Sequence, residues 1–177
     1  MGKRTALTVA VILGGTLAVL AVGSYAGAEG GKQNVKADLN GFLEVPSVSS
    51  TGTGSFEAEI DEDAGTISYT LTYSGLEGES TLFAHIHVGQ RSVNGGVSAF
   101  LCGGGGKPVC DPTSDSVSDT ILPADVIGPT AQGIAAGEFA ELVAAIRAGR
   151  AYANVHTNKH PGGEIRGQIN DDNQRQP

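Results

Sequence analysis

Along most of the chain, apolar residues alternate with polar ones in short runs, and each run closes in a cluster of glycine, asparagine, aspartate or serine. Successive side chains of a strand point to opposite faces, so a period of two marks a half-buried strand. The pattern predicts strands over Val35–Val45, Gly54–Asp61, Thr66–Tyr73, Thr81–Val88, Val97–Leu101, Val117–Ile121, Ala151–His156 and Glu164–Ile169. Asp61-Glu62-Asp63-Ala64-Gly65, Asn94-Gly95-Gly96 and Pro161-Gly162-Gly163 are turn sequences, the last joining the two final strands in a hairpin. One segment changes period: Phe139, Leu142, Val143 and Ile146 within 138–147 fall at helical spacing, and Gly149 supplies a stop. The expectation is an all-β, antiparallel β-sandwich with one short helix crossing from one sheet edge to the next.

The chain ends change that picture only at its margins. Lys3 and Arg4, an apolar stretch from Ala6 to Val22 and the small residues Ala26-Gly27-Ala28 read as an export leader over residues 1–28. An uncleaved membrane anchor is the alternative, because the stretch is only slightly shorter than the roughly 20 residues a spanning helix needs. Residues 29–34 read as a flexible lead-in, 35–169 as one domain, and the polar 170–177 as a disordered tail. Loss of Lys3 and Arg4 with the leader would take the formal charge from −8 to −10, a balance that argues against nucleic acid or anionic lipid as a partner. Export also implies an oxidising compartment, where Cys102 and Cys110 read as one disulfide closing a glycine-rich turn rather than as a thiolate metal pair or redox couple.

The chemistry is concentrated in histidine. All four lie in two motifs, His85-Ile86-His87 and His156-Thr157-Asn158-Lys159-His160. Alternation puts Phe83, His85 and His87 on one face, Tyr152, Asn154 and His156 on one face, and Glu164, Arg166 and Gln168 on another; if these strands are neighbours, the polar faces converge. Two imidazoles at i and i+2 sit about 6.6–7 Å apart along a strand, near enough for both to reach one ion at about 2.0 Å. His156 would be the third ligand, with His160 or Glu164 as a fourth or as a partner fixing a histidine tautomer. Neutral imidazole suits copper and zinc, and Arg166 would oppose a cation beside it unless Glu164 neutralises it. The competing reading makes the histidines a hydrogen-bonded brace, satisfied by Asn154, Thr157 or backbone carbonyls.

Four separated motifs, Leu39-Asn40-Gly41-Phe42-Leu43-Glu44-Val45-Pro46, Ala84-His85-Ile86-His87-Val88-Gly89, Tyr152-Ala153-Asn154-Val155-His156-Thr157 and His160-Pro161-Gly162-Gly163-Glu164-Ile165-Arg166-Gly167-Gln168, resemble in content and order the CHRD domain. The resemblance implies an extracellular β domain of immunoglobulin-like or superoxide-dismutase-like architecture rather than a particular activity. The H-x-H pair is also similar to that of copper-zinc superoxide dismutase, but four histidines are too few for its two-metal site.

Three functions are consistent with these residues. One is a secreted domain binding copper or zinc through its histidines. Another is an extracellular module for a protein or polysaccharide partner, its loop from Gly89 to Pro108 being the first surface to test. The third, a copper oxidoreductase, requires the first and adds an open coordination position.

Overall fold

The structure, a computed structural model, describes residues 31–171; the expected leader, the first two residues of the lead-in and residues 172–177 lie outside the described residues. Its elements are β1 (Lys32–Asn40), β2 (Thr53–Asp61), β3 (Thr66–Ser74), β4 (Thr81–Val88), β5 (Gly96–Cys102), β6 (Asp115–Ile121), α1 (Phe139–Arg147), β7 (Ala151–Thr157), β8 (Ile165–Gln168) and β9 (Asn170–Asp171). Hydrogen bonding links the strands in the order β5-β4-β7-β8-β1-β2-β3-β6, with β9 on β1 and every pairing antiparallel. The two ends of this path approach each other. The Tyr69 hydroxyl of β3 reaches across to donate to the Leu101 carbonyl of β5 at 2.5 Å. The all-β antiparallel class with one helix thus holds, and its coarse shape is a single sheet curled nearly into a barrel. Among the described residues, no helix is long and apolar enough to cross a membrane.

Strands β1 to β3 follow the alternation closely. Val35, Ala37 and Leu39, then Phe56, Ala58 and Ile60, then Ile67, Tyr69, Leu71 and Tyr73 are buried, while the residues between them are mostly exposed or half-buried. In β7 and β8 the alternation in exposure fails, because every residue of both strands is buried, as are residues 84–88 of β4. The polar face of these strands lies under three irregular segments: the turn after β1, the loop between β4 and β5, and the turn between β7 and β8. Asn94 ties two of these covers together by donating to the Val45 carbonyl at 2.8 Å.

Several boundaries differ from the sequence reading. Residues 32–34, expected as flexible lead-in, belong to β1, where Lys32, Gln33 and Asn34 pair with Asp61, Ile60 and Glu59. The strand expected to run to Val45 ends at Asn40, whose side chain accepts the Phe42 N–H and opens a 3-10 turn over Gly41–Leu43. That turn folds back on Val48, and a Cβ at Gly41 would lie 2.4 Å from the Val48 carbonyl oxygen. Asn170 and Asp171, expected in the tail, add to β1 as β9.

Helix α1 buries Phe139, Leu142, Val143 and Ile146, and Gly149 stops it with φ +65°. The crossing it makes differs from the expected edge-to-edge one. It returns the chain from the edge strand β6 to β7, which lies in the interior of the sheet between β4 and β8.

Cys102 and Cys110 form a disulfide with Cα atoms 5.2 Å apart. Part of the glycine run it encloses is packed, while Gly106 has nothing within 4 Å of where a Cβ would lie. A Cβ on Gly104 would lie 2.5 Å and one on Gly105 2.9 Å from the Phe100 ring, so the backbone of these two residues approaches that aromatic closely. Lys107, its side chain buried, donates to the Thr120 carbonyl at 2.5 Å and to Asp125 at 2.8 Å.

Replacing both cysteines by serine is expected to lower stability by about 2.5 kcal/mol through the loop entropy returned to the unfolded chain. Gly104→Val is expected to cost about 1–3 kcal/mol by overpacking against Phe100. Denaturant unfolding of the two variants against wild type measures both.

Candidate metal centre

The register of four adjacent strands assembles the site. Across β4 and β7, Phe83 pairs with His156, His85 with Asn154 and His87 with Tyr152. Across β4 and β5, His85 pairs with Phe100, and across β7 and β8, Asn154 pairs with Arg166 and Tyr152 with Gln168. The strand adjacency on which convergence of the polar faces depended is therefore present. His85, His87 and His156 are all buried, and one ring nitrogen from each lies within 4.8 Å of the others. Their ring centroids are 5.4 Å (His85 to His87), 5.1 Å (His85 to His156) and 5.8 Å (His87 to His156) apart.

Two backbone carbonyls settle which nitrogens are available. His87 Nδ1 lies 3.0 Å from the Gly95 carbonyl oxygen and His156 Nδ1 lies 3.1 Å from that of Pro161. A carbonyl only accepts, so each Nδ1 carries the proton, and in a neutral ring the opposite Nε2 is left as a bare lone pair. The Nε2 atoms of His87 and His156, with Nδ1 of His85, are buried and have no hydrogen-bond partner. Backbone carbonyls holding the non-ligating nitrogen are also the usual outer support of metal-bound histidine.

Burial keeps the rings neutral. It pushes His85 down to about 3, helped by repulsion from the neighbouring imidazoles, and His87 down to about 4 against the opposing pull of the Gly95 bond. His156 is lowered as well, again chiefly by burial. The walls are aromatic: Phe83 lies 4.7 Å from His85 and 4.9 Å from His156, Phe100 sits edge-on to His85 at 4.4 Å, and Tyr152 stacks on His87 at 4.8 Å. The Arg166 guanidinium lies 3.4 Å over the other partner in this stack, the Tyr152 ring. The unfavourable neighbour identified in the sequence is thus layered on the tyrosine rather than set directly against the histidines.

The other expected residues are placed differently. The group within 4.8 Å does not include His160, whose Nε2 is buried without a partner elsewhere in the turn. Glu164 is completely buried and its carboxylate is occupied. It accepts from Ser50 and Thr157 at 2.6 Å each and from the N–H groups of Glu77 and Gly78 at 2.6 and 3.3 Å. Burial raises its pKa, but these bonds outweigh that and hold it below the ordinary carboxylate range. Asn154 donates to Glu44 at 2.5 Å and to the Ile165 carbonyl at 2.9 Å, and Gln168 donates to the carbonyls of Gly89 and Gly149, both at 2.9 Å. Neither residue braces the histidines.

Glu44 and Gly95 were missed as site residues, although both stand in sequence motifs. Glu44 is buried, and burial pushes its carboxyl up to about 7 against the bond from Asn154 and the charge of Arg166. Gly95 accepts from His87 and donates its N–H to the Tyr152 hydroxyl at 3.0 Å. A Cβ there would lie 1.7 Å from the Val88 carbonyl oxygen, so only glycine brings this backbone close enough.

The chain belongs to the CHRD domain family, whose model matches residues 35–169. No curated protein and no solved structure matches it.

Because His85 and His87 titrate lower in the folded chain than the ordinary 6.5, the unfolded chain binds more protons below that pH. Their contribution to the metal-free protein is therefore complete above about pH 6.5 and is lost as pH falls toward 3. Melting temperatures measured without metal from pH 8 to 4 should fall with acidity, and His85→Phe should flatten that fall.

Proposed function

We propose that this CHRD domain is an exported protein that holds one copper or zinc ion on His85, His87 and His156. The observation that carries the reading is the convergence of three buried ring nitrogens that have no hydrogen-bond partner. An unsatisfied buried polar atom costs on the order of 1–3 kcal/mol, and a brace of strands would have no reason to leave three together. A bound ion would occupy all three lone pairs at once. Neutral imidazole is a ligand for both metals, and no acidic group is among the three to draw the site toward calcium or magnesium. Export is supported by the leader sequence, the family and the disulfide.

Elemental analysis of untagged protein, followed by copper and zinc titration, should give about one equivalent of ion. His85→Ala, His87→Ala and His156→Ala should each weaken binding by more than the roughly 10–100-fold typical of losing an outer-shell partner. His160→Ala should leave affinity unchanged. Unaltered affinity in His87→Ala would overturn the assignment and favour a partner-binding module.

Binding should also resist acid. Imidazoles lowered to about 3 and 4 compete weakly with protons, so ion affinity should change little between pH 8 and 6. A site of ordinary imidazoles would lose affinity through that range. Competition with a chromophoric chelator at each pH reads the difference.

A further inference from the structure

A cleft of about 160 Å³ opens between the Gly41–Leu43 turn and the loop that follows β4. That is roughly ten times the 15 Å³ or so that admits one water. Phe42, Glu44, Ser47, Arg91, Ser92 and Arg166 are among the residues lining it. We propose that this cleft binds the carboxylate group of a small organic or sugar acid, held by Arg91 and Arg166.

Two cationic side chains line the cleft without a direct ion pair among the described residues. Arg166 is 2% exposed, and its guanidinium donates to the carbonyls of Gln90 and Val93 at 3.2 and 2.9 Å and to Asn94 Oδ1 at 3.3 Å. All these acceptors are neutral. Among the described residues neither Arg166 nor Arg91 makes an ion pair. Glu44, whose charge reaches Arg166, is itself pushed toward its neutral form by burial, so an arriving anion would offset part of the cost of burying the guanidinium. Arg91 supplies the second observation, since its Nη2 atom is buried with no hydrogen-bond partner although the residue lines the cleft.

The form of the ligand follows from the surroundings. The Arg91 guanidinium presents a planar donor pair that matches a carboxylate, Arg166 adds its charge and the donors not committed to Asn94, Gln90 and Val93, and Ser92 adds a hydroxyl at the wall. Glu44, the one acidic lining residue, is half neutral near pH 7 and so opposes an anion only partly. A polyanion is disfavoured because the chain as a whole carries a formal charge of −8 and would repel it at long range. One acidic group entering a desolvated cleft meets the local arginines instead. Phe42, 70% exposed at the lip, offers an apolar surface to the rest of a small molecule, such as the face of a sugar ring.

This assignment is independent of the metal, so the test uses full-length protein stripped with a chelator. Calorimetric titration with acetate, glucuronate, sulfate and a neutral methyl glycoside should give binding of the two carboxylates and none of the glycoside. Tighter binding of glucuronate than acetate identifies a sugar acid, and equal binding identifies a free carboxylate. Arg91→Gln, on a half-buried loop residue whose loss should spare the fold, should weaken the carboxylates at least tenfold with an unchanged melting temperature. Sulfate or the glycoside binding as well as glucuronate, no carboxylate binding, or unchanged affinity in Arg91→Gln would overturn the proposal. Arg166→Gln is a second probe, and if it does not fold, the Arg91 variant alone decides.

Discussion

Everything at the histidine centre depends on two hydrogen bonds that end on the backbone. The carbonyls of Gly95 and Pro161 take the Nδ1 protons of His87 and His156, which fixes both tautomers and both ring planes. Once those protons are committed, the opposite nitrogens can only accept, and the aromatic walls leave them nothing to accept from. The two carbonyls sit in turns rather than strands. The fold therefore has to deliver the β4–β5 loop and the β7–β8 turn to fixed positions over the sheet, and the absence of a side chain on Gly95 is what permits the closer of these approaches.

The polar side of the sheet is better described as a layered stack than as a surface. Arg166, Tyr152 and His87 lie one over another, with the tyrosine ring between the cation and the imidazole. The electron-rich face of the phenol attracts the guanidinium, while the hydroxyl at its edge accepts from Gly95. One ring thereby links the arginine cleft to the histidines and helps fix the spacing between them.

Period-two alternation was enough to identify β4 and β7, to place His85 and His87 on one face and His156 on the matching face, and to join β7 to β8 through Pro161-Gly162-Gly163. It carried no information about what would cover that face, which is why β7 and β8 were read as half-buried. Glu164 illustrates the limit. Its spacing put it with Arg166, but its use was decided by Ser50, Glu77 and Gly78, residues 114, 87 and 86 positions away that reach it through loops. Glu44 was invisible as a site residue for the same reason: its partner Asn154 is 110 positions distant. Composition alone could not reveal that Gly104 and Gly105 pack on Phe100.

The pairing of β9 with the start of β1 has a consequence for how the domain can be carried. Val35 faces Asp171 and Lys36 faces Asn170, so the entering and departing chain leave the described fold side by side. They do so about 17 Å along β1 from Asn40, five residues on, which pairs with the site residue Arg166. A unit whose two ends are neighbours can be spliced into a loop of another protein or repeated in tandem without disturbing its interior. Such modularity is a property of the sheet's wiring, independent of the chemistry of the histidines and arginines.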